Sequence, residues 1–345
     1  MTQTIAIVIP CRNEEKHIYR CISSILKSDY PKEKCDIYVC DGLSDDNTRS
    51  IVEKIASEET NVHLLDNIKR TTPYALNIGL KASEADIKVI LGAHSEVYPD
   101  FLKENINTLK ENPNADCVGG IIENVYEDKR SEIIGKAMSS PFGVGNAHFR
   151  TGNMEGYVDT VAFGAYRSKV FDKIGYFDED LTRNQDDEFN YRLIKNKGKI
   201  YLSSKIKTKY YVRGSFKKLI IQYKQYGYWK VYVNKKLKAI TTIRQLIPLF
   251  FYGFLSCSIY NIIEYFIIGK APIEILIIQM IIFLTYLTAG LIFAFKKTGL
   301  SKDVFLVLYT FILLHLSYGF GYIAGLIDFL VLNKTPRSSS ENLTR

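Results

Sequence analysis

The sequence predicts an α/β protein with a mostly parallel sheet and flanking helices, followed by a C-terminal region of transmembrane helices. Short β-branched runs alternate with amphipathic helical segments in the first part of the chain, and three long apolar stretches close it. Between them, residues 205–244 hold twelve Lys or Arg and no Asp or Glu. Four regions are therefore predicted: a cytoplasmic domain at 1–204, a basic and aromatic interfacial segment at 205–244, three transmembrane helices at 245–333 and a short polar tail at 334–345.

The first region is predicted to carry its binding site at the ends of its strands. Four strands are predicted, at 5–10, 36–40, 62–65 and 87–91, with a helix after each of the first three. The first run is too short for a signal-peptide core. Ligands of parallel sheets bind at the carboxyl ends of strands, where Asp41 and Gly92-Ala93-His94 lie.

The three apolar stretches are predicted to span a membrane. They are Leu246–Ile268, Ile273–Phe295 and Val304–Leu332, of 23, 23 and 29 residues. An all-helical soluble domain is the alternative, but buried soluble helices are rarely so long and so evenly apolar. The basic block precedes the first stretch, so the positive-inside rule predicts a multi-pass protein of the cell membrane. The N-terminal domain and the Lys296–Asp303 loop are expected in the cytoplasm and the tail outside.

The basic block mixes its lysines with tyrosines, Phe216 and the single tryptophan. Such a composition fits nucleic acid or a membrane surface. The position directly before a membrane helix favours an amphipathic segment on an anionic membrane surface, so no nucleic-acid partner is expected. The same segment would meet the diphosphate of a lipid-linked acceptor. The six cysteines form no C-x-x-C pair and are expected to be reduced thiols of a cytosolic compartment.

Three consecutive carboxylates, Asp186, Asp187 and Glu188, are predicted in the first turn of a helix, where the helix dipole favours negative charge. Glu188 and Arg192 fall on one face at a spacing of four. By itself this pattern fits a simple helix start as well as a catalytic carboxylate.

The end of the second strand offers groups that can bind a nucleotide. Asp41, with Ser44 and Asp46, can accept hydrogen bonds from a base and its ribose, while Arg70 and nearby amides can face phosphate. The alternative is a turn rich in Asp, Asn and Gly that caps the next helix. The spacing alone leaves both interpretations open.

Five motifs, in this order, resemble glycosyltransferase family 2, inverting enzymes with the GT-A fold, over about residues 4–232. They are Val8-Ile-Pro-Cys-Arg-Asn-Glu-Glu15, Asp41-Gly-x-Ser44-x-Asp46-x-Thr48, Arg70-x-x-x-Tyr74-Ala75-x-Asn77-x-Gly79, Gly164-Ala-Tyr-Arg167 with Ile174–Glu179, and Gln185-Asp-Asp-Glu188-x-x-x-Arg192. Within the family, Ala93-His94 and Tyr226-Gly-Tyr-Trp-Lys230 resemble the succinoglycan-type transferases of bacterial exopolysaccharide assembly.

The resemblance implies a membrane-anchored hexosyltransferase that moves one sugar from a nucleotide sugar, expected to be a UDP-sugar, to a lipid-linked (polyprenyl diphosphate) saccharide in exopolysaccharide or cell-surface glycan assembly. Other membrane proteins of glycan assembly are expected partners. Asp186 is implied as the general base that deprotonates the acceptor hydroxyl, so that the configuration inverts. The implied donor-binding residues are Pro10, Arg12, Glu14, Asp41, Asp46, Arg70, Asn77 and Ala93. The implied acceptor-side residues are Gly164, Ala165, Asp187, Glu188, Arg192, Tyr228 and Trp229.

A divalent cation, Mn²⁺ or Mg²⁺, is implied at the departing diphosphate. The usual Asp-x-Asp loop reads Gly92-Ala93-His94, so His94 is the expected ligand, with Glu96 as a helper, and a nitrogen ligand suits Mn²⁺ better than Mg²⁺. The missing carboxylate puts an ordinary catalytic rate in doubt. Two alternatives stay open: a processive synthase, to which Gln225-x-x-x-Trp229 is loosely similar, and an inactive scaffold, in view of Gly92 and Gln185.

Overall fold

The computed structural model describes residues 3–152, 154–269 and 272–335. They fall into two compact units, 3–125 with 148–211, and 126–147 with 212–335. The predicted domain limit at 204 lies inside a strand, and segment 126–147, which was expected in the catalytic domain, groups with the C-terminal helices. Most of the predicted tail lies outside the described residues.

The elements follow the predicted alternation. The first part contains β1 (Ile5–Cys11), α1 (Ile18–Leu26), β2 (Cys35–Asp41), α2 (Thr48–Glu58), β3 (Val62–Asp66), α3 (Thr72–Lys81), β4 (Ile87–Ile90), β5 (Ser95–Val97), α4 (Phe101–Glu111) and β6 (Cys117–Val125). Next come α5 (Lys129–Met138), α6 (Pro141–Val144), α7 (His148–Thr151), β7 (Gly156–Val158), β8 (Ala162–Arg167), α8 (Lys169–Ile174), α9 (Gln185–Lys195) and β9 (Ile200–Tyr211). The chain continues with α10 (Phe216–Leu237), α11 (Leu246–Ile263), α12 (Ile273–Thr298) and α13 (Asp303–Gly325).

The first unit is built on a nine-stranded sheet with the order β3-β2-β1-β4-β8-β6-β9-β5, and β7 pairs with β9. The predicted parallel arrangement is confirmed for β1 to β4, whereas β8 is antiparallel to both β4 and β6. Strand β1 is buried along nearly its whole length because helices cover both faces of the sheet. Its carboxyl end and those of β2 and β4 lie at one edge.

The pairing of strand β6 with its neighbour β9 is irregular at one point. The pairing of β6 with β9 shifts between Gly119 and Ile121. A Cβ on Gly120 would overlap the carbonyl of Ile206, so the close approach of the two backbones requires glycine there.

The structure divides the predicted interfacial segment at 205–244. Its first residues belong to β9, where three lysines face acidic residues of α4, β6 and β5: Lys205 with Glu111 at 3.5 Å, Lys207 with Glu123 at 3.4 Å and Lys209 with Glu96 at 3.1 Å. These charges are compensated within the first unit. The description as one interfacial segment is therefore corrected, because residues 205–211 belong to β9 and Phe216–Leu237 form the helix α10.

In the second unit, α10 and α13 lie side by side and run in the same direction. The ring centroids of Phe216 and Tyr309 are 5.8 Å apart near one end, and Lys235 Nζ donates to Asn333 Oδ1 at 3.1 Å near the other. Glycines allow the close contact: a Cβ on Gly227 would overlap the Tyr318 carbonyl, and one on Gly321 that of Lys224. Helix α10 thus covers one side of α13 over most of its length.

Three helices of the second unit are long and apolar enough to cross a membrane, by length and composition. They cover Ile243–Ile267, Ile273–Thr298 and Asp303–Val331, with mean hydropathies of 1.7, 2.3 and 1.8. They coincide with the three predicted apolar stretches. Between them, Tyr286 Oη lies 2.8 Å from His315 Nδ1, and His315 Nε2 lies 2.9 Å from the Phe142 carbonyl. Both ring nitrogens of this histidine therefore have polar partners.

Candidate active site

The carboxyl end of β2 is organised by Asp41. Its side chain is fully buried, and Ser44 donates to both oxygens, from Oγ at 2.5 Å and from the backbone N–H at 3.1 Å. Arg49 lies 3.8 Å from the same carboxylate. Asp41 therefore fixes the conformation of the loop that follows the strand.

The loops after β1 and β2 are joined by hydrogen bonds. Asn13 N–H donates to Ser44 Oγ at 2.9 Å, and Glu14 N–H donates to Thr48 Oγ1 at 2.7 Å. Asp46 accepts from Thr48 Oγ1 at 2.5 Å and from its N–H at 2.9 Å. Burial opposes the ionised form of Asp46, but these hydrogen bonds outweigh it and lower the pKa. The helix-capping interpretation thus describes Asp46, which holds the first turn of α2.

Two more predicted donor residues lie on these loops. Pro10 is within β1, opposite Cys40, and Arg12 follows the strand. The guanidinium of Arg12 is 18% exposed and lies 3.7 Å from Asp45. Arg12 therefore places a positive charge, paired with the exposed Asp45, at the sheet edge where the predicted site lies.

At the end of β4, the structure brings two predicted residues together. Glu14 Oε2 lies 2.8 Å from His94 Nδ1, and both side chains are largely buried. The ring of His17, which the sequence did not single out, stands edge-on to His94 with centroids 4.9 Å apart. The neighbouring Ala93 is buried.

Glu96, the expected helper of His94, has other partners. It accepts from Tyr211 Oη at 2.7 Å and from Lys209 Nζ at 3.1 Å, both on β9. Burial disfavours its charge, but these two bonds prevail and lower the pKa of Glu96. The carboxylate nearest to His94 is therefore Glu14.

The pair of Glu14 and His94 fits a cation that is held mainly by its substrate. Among the described residues, no group of three or more His, Cys, Asp or Glu side chains is arranged to hold a metal ion. Cations that bind nucleotide phosphates need only one or two protein ligands, since phosphate oxygens and water complete the shell. Because Glu14 Oε2 and His94 Nδ1 are in direct contact, a cation would be met by the second oxygen of Glu14 or by His94 Nε2.

Asn77 has a bridging position. It is buried, donates to the Phe177 carbonyl at 2.9 Å and to Glu179 Oε1 at 3.1 Å, and accepts from Phe177 N–H at 2.9 Å. Lys69 binds the same Glu179 at 2.8 Å. In this structure the predicted donor residue Asn77 is engaged within the protein and holds segment 177–179 on α3. Arg70, with φ +57°, lies on the turn before that helix.

The three consecutive carboxylates of α9 have different surroundings. Glu188 is buried and forms a bidentate pair with Arg192, at 2.8 and 2.9 Å, which confirms the predicted shared face. Arg192 also donates to the carbonyls of Ile174 and Tyr176, so the pair fastens the segment before α9. Asp187 is partly exposed, and Asp186 is the exposed member.

Hydrogen bonds connect helix α9 to β8 one helical turn after Asp186. Tyr166 Oη donates to Asn190 Oδ1 at 3.0 Å, and Asn190 Nδ2 donates to Thr160 Oγ1 at 3.0 Å. Burial raises the pKa of Tyr166 well above its usual value, and the charge of Asp186 adds to this. Sequence reasoning did not select Asn190, although its position one turn after Asp186 was a usable signal.

The remaining predicted acceptor-side residues pack in the two units. Gly164 and Ala165 are buried in β8, where a Cβ on Gly164 would meet Cys117 Sγ and the Tyr166 ring. In the second unit, Tyr228 Oη donates to Asp328 Oδ2 at 2.9 Å, and Trp229 is buried beside Phe329. Within its own unit, each of these residues lies at a contact between strands or between helices.

Comparison with known proteins identifies the family. The protein-family model described as glycosyl transferase family 2 matches residues 6–175. The chain is 38% identical over 231 residues to dolichyl N-acetyl-alpha-D-glucosaminyl phosphate 3-beta-D-2,3-diacetamido-2,3-dideoxy-beta-D-glucuronosyltransferase of Methanococcus voltae, covering 65% of this chain and 71% of that one. It is 31% identical over 245 residues to succinoglycan biosynthesis protein ExoA of Rhizobium meliloti, covering 70% and 74%.

A solved structure supports the fold. Mannosyltransferase PcManGT from Pyrobaculum calidifontis, in complex with GDP-Man and Mn²⁺, is similar with a TM-score of 0.59 at 15% identity, over 95% of this chain and 88% of that one. At this identity the likeness concerns the fold alone. Together with the family match and the sheet order, it confirms the predicted GT-A architecture. The chain belongs to glycosyltransferase family 2 and is a glycosyltransferase whose C-terminal helices could cross a membrane.

Proposed function

We propose that this glycosyltransferase moves a single sugar from a UDP-sugar to the saccharide of a polyprenyl-diphosphate-linked acceptor, with inversion of configuration. The observation that carries the proposal is the position of Asp186. It is the exposed carboxylate on a first helical turn that two buried networks, Tyr166 with Asn190 and Glu188 with Arg192, hold in place.

Asp186 acts as the general base. Its carboxylate takes the proton of the acceptor hydroxyl while the oxygen forms a bond to the anomeric carbon, and the bond to the nucleotide diphosphate breaks on the opposite face. No covalent enzyme intermediate is needed. The anchoring of α9 keeps the carboxylate in register with the sheet edge, as a general base requires.

The donor binds at the carboxyl ends of β1, β2 and β4. Arg12 and Arg70 supply positive charge for the diphosphate. Asp41 is assigned to the base through Oδ2, which has a second lone pair beyond the bond from Ser44 N–H, whereas Oδ1 accepts from both Ser44 Oγ and Cys11 Sγ. Asp46 and Asn77 act indirectly, by holding the loops that shape this site.

Glu14 and His94 would hold the divalent cation, and Mn²⁺ would suit this mixed oxygen and nitrogen pair. When bound, such a cation offsets the negative charge that develops on a departing diphosphate. Because Glu14 lies 2.8 Å from His94, it also fixes the imidazole orientation.

The acceptor is assigned from two considerations. The Methanococcus voltae relative is named for a dolichyl-linked sugar phosphate, and the Rhizobium meliloti relative for succinoglycan synthesis. This chain has its own three candidate spans, which would keep the enzyme in the membrane that carries such lipids. The catalytic unit faces the cytoplasm, where nucleotide sugars are made, and other glycan-assembly proteins act beside it.

The test uses the full chain purified in detergent, a panel of UDP-sugars and a polyprenyl-diphosphate-linked saccharide. We expect UDP release and a product that is one sugar longer, and about 10²- to 10⁴-fold slower formation of that product with Asp186→Asn. A long polymer formed from nucleotide sugar alone would point to a processive synthase instead. Absence of both nucleotide binding and donor hydrolysis would indicate a scaffold that has kept the fold.

A further inference from the structure

The aromatic ring of Phe163 lies on Gly92, the residue that stands where the family usually has a carboxylate. A Cβ built on Gly92 would be 3.1 Å from Phe163 Cε1 and 3.7 Å from Cζ. The first distance is shorter than ordinary van der Waals contact, so a side chain at position 92 would require the ring to move. Gly92 itself has no positive φ, and the space taken by the ring is therefore what restricts the position.

Phe163 has an unusual backbone conformation. Its φ is +49°, in the left-handed region that a bulky side chain rarely occupies. Its ring is only partly buried, although the next residues, Gly164 and Ala165, are fully in the core. Backbone strain at a partly exposed aromatic residue is typical of a functional position, since packing alone does not repay it.

Strand β8, which carries Phe163, contacts elements from both halves of the proposed reaction. In its antiparallel pairing with β4, Val89 lies opposite Ala165, so Phe163 reaches the loop that contains His94. Three residues later, Tyr166 binds Asn190 and packs against Phe189, both on the helix of Asp186. Three residues before Phe163, Thr160 Oγ1 accepts from Asn190 Nδ2 on the same helix. Phe163 therefore lies near the start of a strand that contacts both the loop of His94 and the helix of Asp186.

The geometry points to Phe163 as the platform for the sugar ring of the donor, and so as a residue that determines which nucleotide sugars bind. This inference rests on the proposed function, which places the diphosphate beside His94 and the base at Asp186. In an inverting displacement the anomeric carbon lies between the leaving and attacking oxygens, and hence beside this ring. Aromatic faces pack well against the apolar C–H face of a pyranose, while hydroxyl groups at the rim fix its orientation.

The test compares the binding of UDP and of UDP-sugars to the full chain by calorimetry. The probes are UDP, UDP-glucose, UDP-N-acetylglucosamine and UDP-glucuronic acid, and the sugar nucleotide that the wild-type protein binds most tightly is used further. Phe163→Leu should weaken binding of that probe by about 3- to 10-fold, as expected for one lost aromatic contact. Binding of UDP should stay the same, and this also shows that the variant is folded.

Two further variants make the comparison sharper. Phe163→Tyr keeps the ring and should keep the wild-type ratio of the two affinities. Tyr157→Leu removes another partly exposed aromatic ring of the same unit, which packs against Tyr201, and should also leave the ratio unchanged. An equal loss for UDP and for the UDP-sugar in Phe163→Leu, or no loss at all, would overturn the inference. A wild-type protein that binds neither UDP nor any UDP-sugar would overturn the proposed function and the inference with it.

The contact with Gly92 has its own test. Gly92→Ala should lower the UDP-sugar to UDP affinity ratio in the wild-type background, because the new methyl group displaces the ring. In a Phe163→Leu background the same substitution should have little further effect. Equal effects in both backgrounds would show that the ring and position 92 act independently, against the inference.

Discussion

Glu14 and His94 come from the ends of two different strands, and Glu14 Oε2 lies 2.8 Å from His94 Nδ1. Neither residue could be paired with the other from the sequence, because eighty residues separate them. Because the two residues are the proposed ligands of the divalent cation, cation binding is the first property of the site to test.

We expect His94→Ala and Glu14→Gln each to weaken Mn²⁺ binding by about 10- to 100-fold. The first removes a ligand, and the second removes a charged oxygen that also orients the imidazole. Titration of Mn²⁺ into the protein with saturating UDP, followed by calorimetry, measures this directly. Glu15→Gln is the control, since its carboxylate accepts from Asn47 and does not face His94. A Glu14→Gln protein with wild-type affinity for Mn²⁺ would exclude Glu14 as a ligand.

Asp186→Asn should reduce sugar transfer by about 10² to 10⁴ and leave donor affinity nearly unchanged, because the amide keeps the shape but accepts no proton. Steady-state transfer and separate donor binding measure the two effects. Asp187→Asn is the matched control on the same turn. If the control lost transfer and Asp186→Asn kept it, the base would be the neighbouring residue.

The pairing of Glu179 with Lys69 and Asn77 should make stability depend on pH. Burial favours the neutral acid, but the two hydrogen bonds prevail and lower the pKa of Glu179. A lowered folded-state pKa adds stability above the unfolded pKa, about 4.3, and this is lost as pH falls through the folded value.

Glu179→Gln should therefore melt at a lower temperature than the wild type at pH 7, by an amount that corresponds to at most about 1 kcal/mol for so exposed a pair. The difference should close below about pH 4. Thermal melting of both proteins from pH 3 to 8 tests this. A difference that stayed constant over that range would assign the loss to packing rather than to charge.

Gly321→Ala should destabilise the second unit by about 1–3 kcal/mol, because the new methyl group meets the backbone of Lys224 on α10. Gly253→Ala is the control, since among the described residues a Cβ there would meet no atom beyond its own stretch of helix. Melting in detergent should show a lower temperature for the first variant and no decrease for the second. Equal melting temperatures would mean that α10 and α13 do not approach as closely as described.

The topology can be tested with reporters. Three crossings with a cytoplasmic catalytic unit require a reporter after Arg345 to be active outside and one within residues 296–302 to be active inside. Activity of both reporters on the same side of the membrane would refute three crossings.

The sequence predicted the parts of the fold that depend on local patterns. The buried strand at Ile5–Cys11 and the pairing of Glu188 with Arg192 follow from periodicity and spacing, and both are confirmed. The partners of Glu96 and Asn77 depend on residues about a hundred positions away, so no local pattern could give them. The prediction that residues 205–244 form one interfacial segment was wrong for the same reason. The acidic residues that face Lys205, Lys207 and Lys209 come from earlier elements of the chain.

The side-by-side packing of α10 and α13 also constrains how the protein is made. Tyr228 and its partner Asp328 are 100 residues apart, so at roughly 5–20 residues per second the ribosome needs on the order of 5 to 20 s to supply the second after the first. During that interval the face of α10 that carries Leu219, Tyr223 and Val231 has no partner helix. A chain released before residue 303 would keep that face uncovered, and we expect it to depend on chaperones or to be degraded, however complete its catalytic unit.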